Sequence, residues 1–320
     1  LFVVDVAYVG SMARHLTETR DYNTLAPATR FLRANENPTS PGTPLPDAFL
    51  RPYRGFGSIV ITEMGSNSNY HSLQAGITRT FGKRLNVSGN WTWSKALDFA
   101  SFDATQRSIL LDKSRDYGKS SFDVQHILHF NWIYALPGPS RRLGGSRILA
   151  QVLDDWRFTG NAQIQGGVPR DITLSATNPS DFTGSNEGAR VVVLGPPQPD
   201  SFQKAFEHWF DPTVIGRPRA PQFGATLPGD IDYGNAPKDI VREPGINQWN
   251  SALTKVFRLH EDHRLQFSAE FYNFPNHTQF RTLDRAARFN AAGLQTNTTL
   301  GQVITDRGAR VIQLALRYSF

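Results

Sequence analysis

Apolar and polar residues alternate with a period of two along several long stretches of this chain. In the C-terminal stretch, one side of the pattern carries only apolar and aromatic residues, namely Ile312, Leu314, Leu316, Tyr318 and Phe320. The same alternation runs through 264–274, 156–165 and 84–94. A helix would spread the intervening polar residues around its whole circumference, whereas a strand places them on one face. These stretches therefore predict β-strands.

Weaker alternation elsewhere brings the number of predicted strands to eight. The four weaker stretches are 2–9, 73–80, 122–136 and 249–259. Most of the predicted strands exceed the about 5–6 residues that are usual in globular sheets. Their length instead matches the about 9–11 residues that a tilted strand needs to cross a bilayer.

The connections between these strands alternate in length. Short turns fall at 81–83 and 260–263, and a link of moderate length falls at 137–155. Long connections rich in Pro, Gly, Asn, Asp and Thr fall at 11–69, 97–121, 167–247 and 275–308. Counted back from Phe320, all the shorter connections lie at one end of the strands and all the long ones at the other. This arrangement is typical of an antiparallel outer-membrane β-barrel, with short periplasmic turns and long extracellular loops.

The positions of the aromatic residues favour a membrane barrel over a soluble β-sandwich, which also shows alternation. Strands of a sandwich would be shorter, with turn signals about every 8–12 residues. Here the polar strand positions are mainly Gln, Asn, Ser, Thr and Arg, which suit a watery or plugged interior. Aromatic residues near strand ends predict a girdle at the level of the lipid headgroups, comprising Trp91, Trp93, Trp132, Tyr134, Trp156 and Trp249.

Composition excludes several other classes of protein. The 320 residues include no cysteine, so a disulfide scaffold and a Cys-ligated metal site are excluded. No apolar run reaches about 18 residues, which excludes a transmembrane helix. The net charge is +6, but no basic run is longer than Arg141-Arg142, so no nucleic-acid partner is expected. Leu1 already lies in an alternating run without an initiator Met or a signal sequence, which favours a fragment of a longer protein.

Motifs that could carry chemistry are weak. His126 and His129 form an H-x-x-H pair, but on a strand this odd spacing sends the two side chains to opposite faces. Asp230, Asp232 and Asn235 hint at a calcium loop, yet the closing Glu of an EF-hand is missing, and turns are the default for such residues. Since H-E-x-x-H, G-x-S-x-G and P-loop motifs are absent as well, neither an enzyme activity nor a metal or other cofactor is expected.

Several segments, weak singly, together resemble one family. They include N-Y-H-S-L-Q at 69–74, W-T-W-S-K-A-L-D at 91–98, Y-G-N-A at 233–236, G-I-N-Q-W-N at 245–250, A-E-F-Y-N-F at 269–274 and R-V-I-Q-L-A-L-R-Y-S-F at 310–320. In this order they resemble the C-terminal part of the barrel of TonB-dependent receptors, specifically the Oar-like group that carries an N-terminal carboxypeptidase-regulatory-like domain. One departure is Phe274-Pro275, where the family usually has a sequence of the Asn-Leu/Val-Phe-Asn-His type.

The resemblance implies a plugged barrel of about 22 strands, of which 1–320 supplies about eight at the C-terminal end. The regulatory-like domain, the plug and the early strands would then lie outside this sequence. It also implies the outer membrane of a Gram-negative bacterium and energy-coupled passage of an unidentified extracellular substrate. Implied partners are outer-membrane lipid and lipopolysaccharide, the barrel assembly machinery, and TonB through an N-terminal region. The alternatives are a passive porin or a small structural or adhesive barrel, and a secreted glycan-binding β-sandwich.

Two further sets of residues are candidate sites. The last strand resembles the terminal β-signal that the barrel assembly machinery recognises, with four residues on one face: Leu314, Leu316, Tyr318 and Phe320. The long loops carry candidate substrate contacts at Tyr53, Phe56, Trp209 and Phe210. For these aromatic residues, packing of the loops against one another is the competing interpretation. Within 201–210, the spacing of the aromatic residues Phe202, Phe206, Trp209 and Phe210 also predicts a short helix.

Overall fold

The computed structural model describes residues 2–320 except 103–104, 109–112, 178–180, 220–223, 225–230 and 261. Within these residues, eight long antiparallel strands form one sheet in which each strand pairs with its neighbours in the chain. The strands are β1 (Phe2–Asp21), β2 (Val60–Phe81), β3 (Leu85–Asp98), β4 (His126–Ala135), β5 (Trp156–Gln165), β6 (Ile246–His260), β7 (His263–Tyr272) and β8 (Val311–Ser319). All eight predicted strands are confirmed, in the predicted order. The sheet is open, with β1 and β8 at its two edges.

The connections lie as predicted, with the shorter ones at one end of the sheet and the long ones at the other. The turns at 82–84 and 261–262 and the link at 136–155 form the short-turn end. The long connections at 22–59, 99–125, 166–245 and 273–310 form the long-loop end. Every polypeptide segment that can build a pocket above the sheet is therefore at the long-loop end.

The hairpin of β1 and β2 extends well beyond the alternating stretches, over 20 and 22 residues. The predicted loop at 11–69 is therefore wrong near both of its ends, and the loop spans 22–59. A bulge at His15, whose φ is 57°, shifts the register, and pairing then resumes. On the loop side of the bulge, polar side-chain pairs hold the two strands together. For example, Arg20 Nη1 lies 2.7 Å from Glu63 Oε1. Apolar and polar residues no longer alternate in this part, because a hairpin in water needs no apolar face. The backbones of β1 and β2 nevertheless stay paired.

The strand register assigns each residue of the sheet to one of two faces. Residues directly opposite each other in neighbouring strands share a face, and one row runs through Tyr8, Leu73, Trp93 and His126. This apolar face is open, since Leu314 and Leu316 are each 67% exposed. Among the described residues no second sheet of comparable size covers it. The sandwich alternative is therefore not favoured. The opposite side is called the polar face.

The remaining elements are short. A strand at Gly118–Lys119 pairs with β3. The described residues also form four two-stranded ladders. These ladders pair Pro169–Arg170 with Val241–Arg242, Thr173–Ala176 with Ala286–Phe289, Val192–Val193 with Ile215–Gly216, and Phe280–Leu283 with Val303–Asp306. Two helices occur, α1 (Asp47–Leu50) and α2 (Arg147–Leu153), besides single 3₁₀ turns at 29–31, 33–35, 113–115, 140–143 and 212–214. In the part of the chain that is described, neither helix has the length and apolar character needed to cross a membrane.

The buried apolar core lies in the long loops rather than in the sheet. Phe210, Val191 and Val241 are fully buried there and pack with residues that include Phe289 and Leu283. The residues of this core come from four distant parts of the chain, namely Ile172 and the segments 191–215, 236–241 and 283–303. The long loops therefore form a folded unit, called the loop cluster.

The predicted helix at 201–210 is wrong. The segment is irregular and is held by its backbone, because Trp209 N donates to Gly301 O at 2.8 Å and Val303 N donates to Phe206 O at 2.9 Å. The rings of Phe206 and Trp209 both pack on Phe280, with centroids 5.8 and 5.9 Å away. The aromatic spacing arises from tertiary contacts with 280–303 and not from a helical face.

Candidate functional site

Two rows of polar side chains run across the polar face from β2 to β6. In the first row, Asn131, Asn161 and Asn250 lie directly opposite one another on β4, β5 and β6, continued by Ser88 and Thr78. The second row contains Asn90, His129, Gln163 and Gln248. These two rows, called the amide rows, contain neither Asp, Glu, Lys nor Arg.

Hydrogen bonds connect members of the amide rows to neighbouring positions. Gln248 Nε2 donates to Asn250 Oδ1 at 3.2 Å, and the same oxygen accepts from the backbone N of Asn273 at 3.1 Å. Gln163 Nε2 donates to Gln165 Oε1 at 2.9 Å. An amide side chain has both donors and an acceptor. The polar face can therefore bind water, or the surface of another protein segment, without selecting for charge.

Buried ion pairs fasten the loop cluster to the long-loop end of the sheet. Lys238 pairs with Asp98 at the end of β3, and Arg242 pairs with Asp123 just before β4. Arg107 pairs with Glu18 of β1, and both side chains are almost completely buried. A buried ion pair is costly when one partner is removed, and it selects one arrangement of the segments that carry it. The loop cluster is thus held at a defined position on the sheet.

One carboxyl group of the loop cluster has a raised pKa. Burial, and next the neighbouring carboxylate of Asp171, raise the pKa of Asp239 from 3.8 to about 6. The backbone N of Asp239 donates to Asp171 Oδ1 at 2.6 Å, which holds the two residues together. Lys238 and Arg170 act in the opposite direction, but less strongly. Protonation of Asp239 in mildly acidic solution removes its repulsion of Asp171 and the cost of burying its charge.

The four candidate substrate contacts have two different environments. Tyr53 and Phe56 lie at a loop tip and are 59% and 66% exposed. Trp209 is half-buried, and its Nε1 donates to Arg242 O at 2.9 Å, whereas Phe210 has no exposed surface. Packing of the loops, the competing interpretation, fits the position of Phe210. Contact with a substrate stays a prediction for the exposed pair.

Two residues that sequence reasoning missed hold this loop tip in place. Asn23 is fully buried, its Nδ2 donates to Gly57 O at 2.7 Å, and its Oδ1 accepts from Tyr53 N at 2.8 Å. Asp21 accepts from Ser58 Oγ at 2.7 Å and from Ile59 N at 3.0 Å. An Asp and an Asn at the point where a strand ends are a usual signal for side-chain bonds to a loop backbone. That signal was available in the sequence.

The predicted girdle residues all lie on the apolar face. Each is opposite an apolar-face neighbour: Trp91 with Leu128, Trp93 with His126, Trp132 with Gly160, Tyr134 with Phe158, Trp156 with Lys255 and Trp249 with Ala162. Trp132 and Trp249 pack together with centroids 6.1 Å apart. Trp93 lies towards the long-loop end, while Trp156 begins β5 at the short-turn end. Their action as a girdle stays a prediction.

The residues of the predicted assembly signal lie on the edge strand β8 and just after it. Leu314, Leu316 and Tyr318 share the apolar face with Ala269, Phe267 and Leu265 of β7. Tyr318 Oη and His263 Nδ1 are 2.5 Å apart, which ties the end of β8 to the short-turn end. Phe320 is 90% exposed. Recognition of these residues by the assembly machinery stays a prediction.

The weak metal motifs are not assembled into a site among the described residues. His126 lies opposite Trp93 on the apolar face, and His129 lies opposite Asn90 on the polar face, so the predicted separation of the two is confirmed. Asp230 lies outside the described residues. Asp232 accepts from the backbone N of Gly234 at 2.9 Å, which is the turn expected by default.

Comparisons with known proteins agree with this architecture. A family model described as an outer membrane beta barrel domain matches residues 1–313. Curated proteins give no match. Among solved structures, the crystal structure of the outer membrane transporter YddB from Escherichia coli is similar over 98% of this chain and 30% of that chain, with 8% identity and a TM-score of 0.43. The chain thus spans less than a third of that protein's chain. A likeness at this TM-score supports no argument about function.

Proposed function

Because the chain belongs to the outer membrane β-barrel domain family, we propose that it is part of a TonB-dependent transporter that moves a substrate across the outer membrane. Membership of the family places the protein in the outer membrane. The apolar face then contacts lipid, the polar face lines the barrel interior, the short-turn end is periplasmic and the long-loop end is extracellular. Energy coupling through TonB is the part of the proposal that the sequence resemblance suggests.

The observation that carries the proposal is the pair of amide rows. They give five neighbouring strands a hydrogen-bonding interior surface without Asp, Glu, Lys or Arg. Such a surface suits reversible contact with a plug and a hydrated path along it, because amides lose little when water replaces a protein partner. A porin that selects ions would instead be expected to carry charged residues at this level.

The two open edges of the sheet support the presence of further strands. The outer edges of β1 and β8 have no strand partner among the described residues. Backbone N–H and C=O groups cannot stay unpaired in the hydrocarbon region of a membrane. We infer that additional strands of the same protein pair with both edges and close the barrel around a plug.

The test uses the complete open reading frame, expressed in the outer membrane and purified in detergent. We expect the complete protein to be retained by an immobilised periplasmic domain of TonB and to form no steady channel in a planar lipid bilayer. The matched control is the complete protein without the segment that precedes the barrel, which should lose retention and conduct ions. Steady conductance by the complete protein together with no retention would favour the passive porin and contradict the proposal.

A further inference from the structure

A groove on the lipid-facing side of the sheet lies next to the long-loop end. Tyr8, Leu73 and Trp93 lie side by side on β1, β2 and β3 and line a cavity of 480 Å³. A second cavity, of 660 Å³, continues towards the loop cluster, and Lys95 and Lys119 line both. The two cavities together are called the outer groove. Tyr8 and Trp93 are 69% and 50% exposed, so its lower part is apolar and accessible.

The register places two cations, Lys95 and Lys119, at the upper part of the outer groove on the lipid-facing side. His71 lies opposite Lys95, and in the next row Asn69 lies opposite Leu97, which lies opposite Lys119. Arg14 joins this row because its Nη2 donates to Asn69 Oδ1 at 2.8 Å. Asn69 in turn donates to Tyr117 Oη at 2.9 Å, and Tyr117 lines the second cavity.

The height of these cations matches the surface of the membrane. Lys95 is the first charged residue on the lipid-facing side of β3, after Leu85, Val87, Gly89, Trp91 and Trp93. Ten residues of a strand tilted by about 40° rise by about 25 Å. The apolar band of an outer-membrane barrel is about 25 Å tall. Lys95 therefore lies where acyl chains end and headgroups begin in the extracellular leaflet.

The positive charge of the outer groove is only partly balanced by nearby carboxylates of the described residues. Among the described residues, no carboxylate lies within 4.0 Å of the cationic groups of Arg14, Lys95 or Lys119. Of the acidic residues that line the two cavities, Asp123 is already paired with Arg242 and accepts from Ala96 N, and Asp239 has a pKa that burial raises. Burial, and next the charge of Arg242, lower the pKa of Lys119. A bound anion would relieve that effect.

We infer that the outer groove binds one molecule of the phosphorylated glycolipid of the extracellular leaflet, the lipid A part of lipopolysaccharide. Its phosphates lie between Lys95, Lys119 and Arg14, and an acyl chain lies against Tyr8, Leu73 and Trp93. The assignment follows from charge complementarity and from height, since both a phosphate and an acyl chain are available at this level of the leaflet. It does not depend on the transport proposal, because any barrel with this wall would carry the groove.

The test measures lipid retained by the complete protein after purification from the outer membrane and washing in detergent. We expect bound bisphosphorylated lipid A to fall about thirtyfold in the double variant Lys95→Gln/Lys119→Gln, because each lysine near a lipid phosphate contributes about one kcal/mol. The variant Lys95→Arg/Lys119→Arg should retain it. The matched control, Lys83→Gln/Lys204→Gln, removes two exposed lysines that line neither cavity and should retain lipid A as well.

Three outcomes would overturn the inference. The first is equal retention by the Gln double variant and the control while both show the heat-shifted migration of a folded barrel. The second is equal binding of dephosphorylated lipid A or of phosphatidylglycerol to delipidated protein, read from Trp fluorescence in detergent. The third is complete displacement of lipid A by inorganic phosphate, which would indicate a simple anion site. If the Gln variant fails to fold, failure of the Arg variant to retain lipid would decide against the inference.

Discussion

Lys255 shows that the face on which a residue lies does not by itself fix the surroundings of its charged group. Alternation puts it on the apolar face of β6, where a cation would be costly in contact with lipid. In the structure it is almost fully buried, and its Nζ lies 5.9 and 5.3 Å from the ring centroids of Trp156 and Phe257. The ammonium group donates to the backbone O of Asp154 at the short-turn end. A long side chain thus carries its charge out of the apolar band.

At the same scale, Asp239 predicts a pH dependence of the loop cluster. Its pKa is 3.8 in the unfolded chain and about 6 in the folded one, so the folded state binds the proton more tightly. The resulting stabilisation is complete below pH 3.8 and is lost as the pH rises through 6. Between pH 7.5 and pH 5 we expect the loops to gain roughly 1 kcal/mol. The measurement is the urea concentration that exposes the loops to proteolysis at each pH.

The variant Asp239→Asn supplies the control for this prediction, because it cannot titrate and should show a smaller difference between the two pH values. Asp171→Asn should also reduce the difference, since it removes the second cause of the raised pKa while its Oδ1 can still accept from Asp239 N. A wild-type protein whose loops become less resistant at pH 5 than at pH 7.5 would contradict the prediction.

Single strands were predictable because each one carries its own local signal. The period of two depends only on which faces meet lipid and the barrel interior, so it is readable within ten residues. Strand ends were less predictable where the hairpin of β1 and β2 leaves the membrane. Contacts between individual side chains of neighbouring strands were not predictable. Gly160 of β5, for example, lies under the ring of Trp132 of β4 and against the backbone O of Asn250 of β6.

This arrangement predicts that β5 tolerates no side chain at Gly160. A Cβ there would overlap the Trp132 ring and Asn250 O. We therefore expect Gly160→Ala to destabilise the barrel by about 1–3 kcal/mol, as overpacking does in close-packed interiors. Gly89→Ala is the matched control, because its Cβ would meet Ile77 Cγ2 and Phe130 Cδ2 at 3.5 and 3.6 Å, which are ordinary contacts. The temperature of the heat-shifted migration on a gel should fall for Gly160→Ala only, and an equal fall for both would argue against this packing.

For the whole molecule, the orientation across the membrane can be tested cleanly because the chain has no cysteine of its own. Phe56 lies at an exposed tip of the long-loop end and Lys83 in a turn at the short-turn end. In intact cells, we expect a membrane-impermeant maleimide to label Phe56→Cys and to leave Lys83→Cys unlabelled until the outer membrane is permeabilised. The complete protein without either substitution provides the background signal. The reverse pattern of labelling would require the opposite orientation.

By itself, the sequence determined the number and order of the strands, the face on which each side chain lies, and which connections are short. These properties follow from local alternation and from pairing between strands that are neighbours in the chain. Only the tertiary structure decided how the loop cluster folds, that Phe210 is buried, and where the outer groove lies. Those features depend on residues far apart in the chain, such as Thr173–Ala176 beside Ala286–Phe289 and Glu18 with Arg107. Such contacts produce no periodic pattern in the sequence, because many distant segments could supply a partner for the same buried backbone group or buried charge.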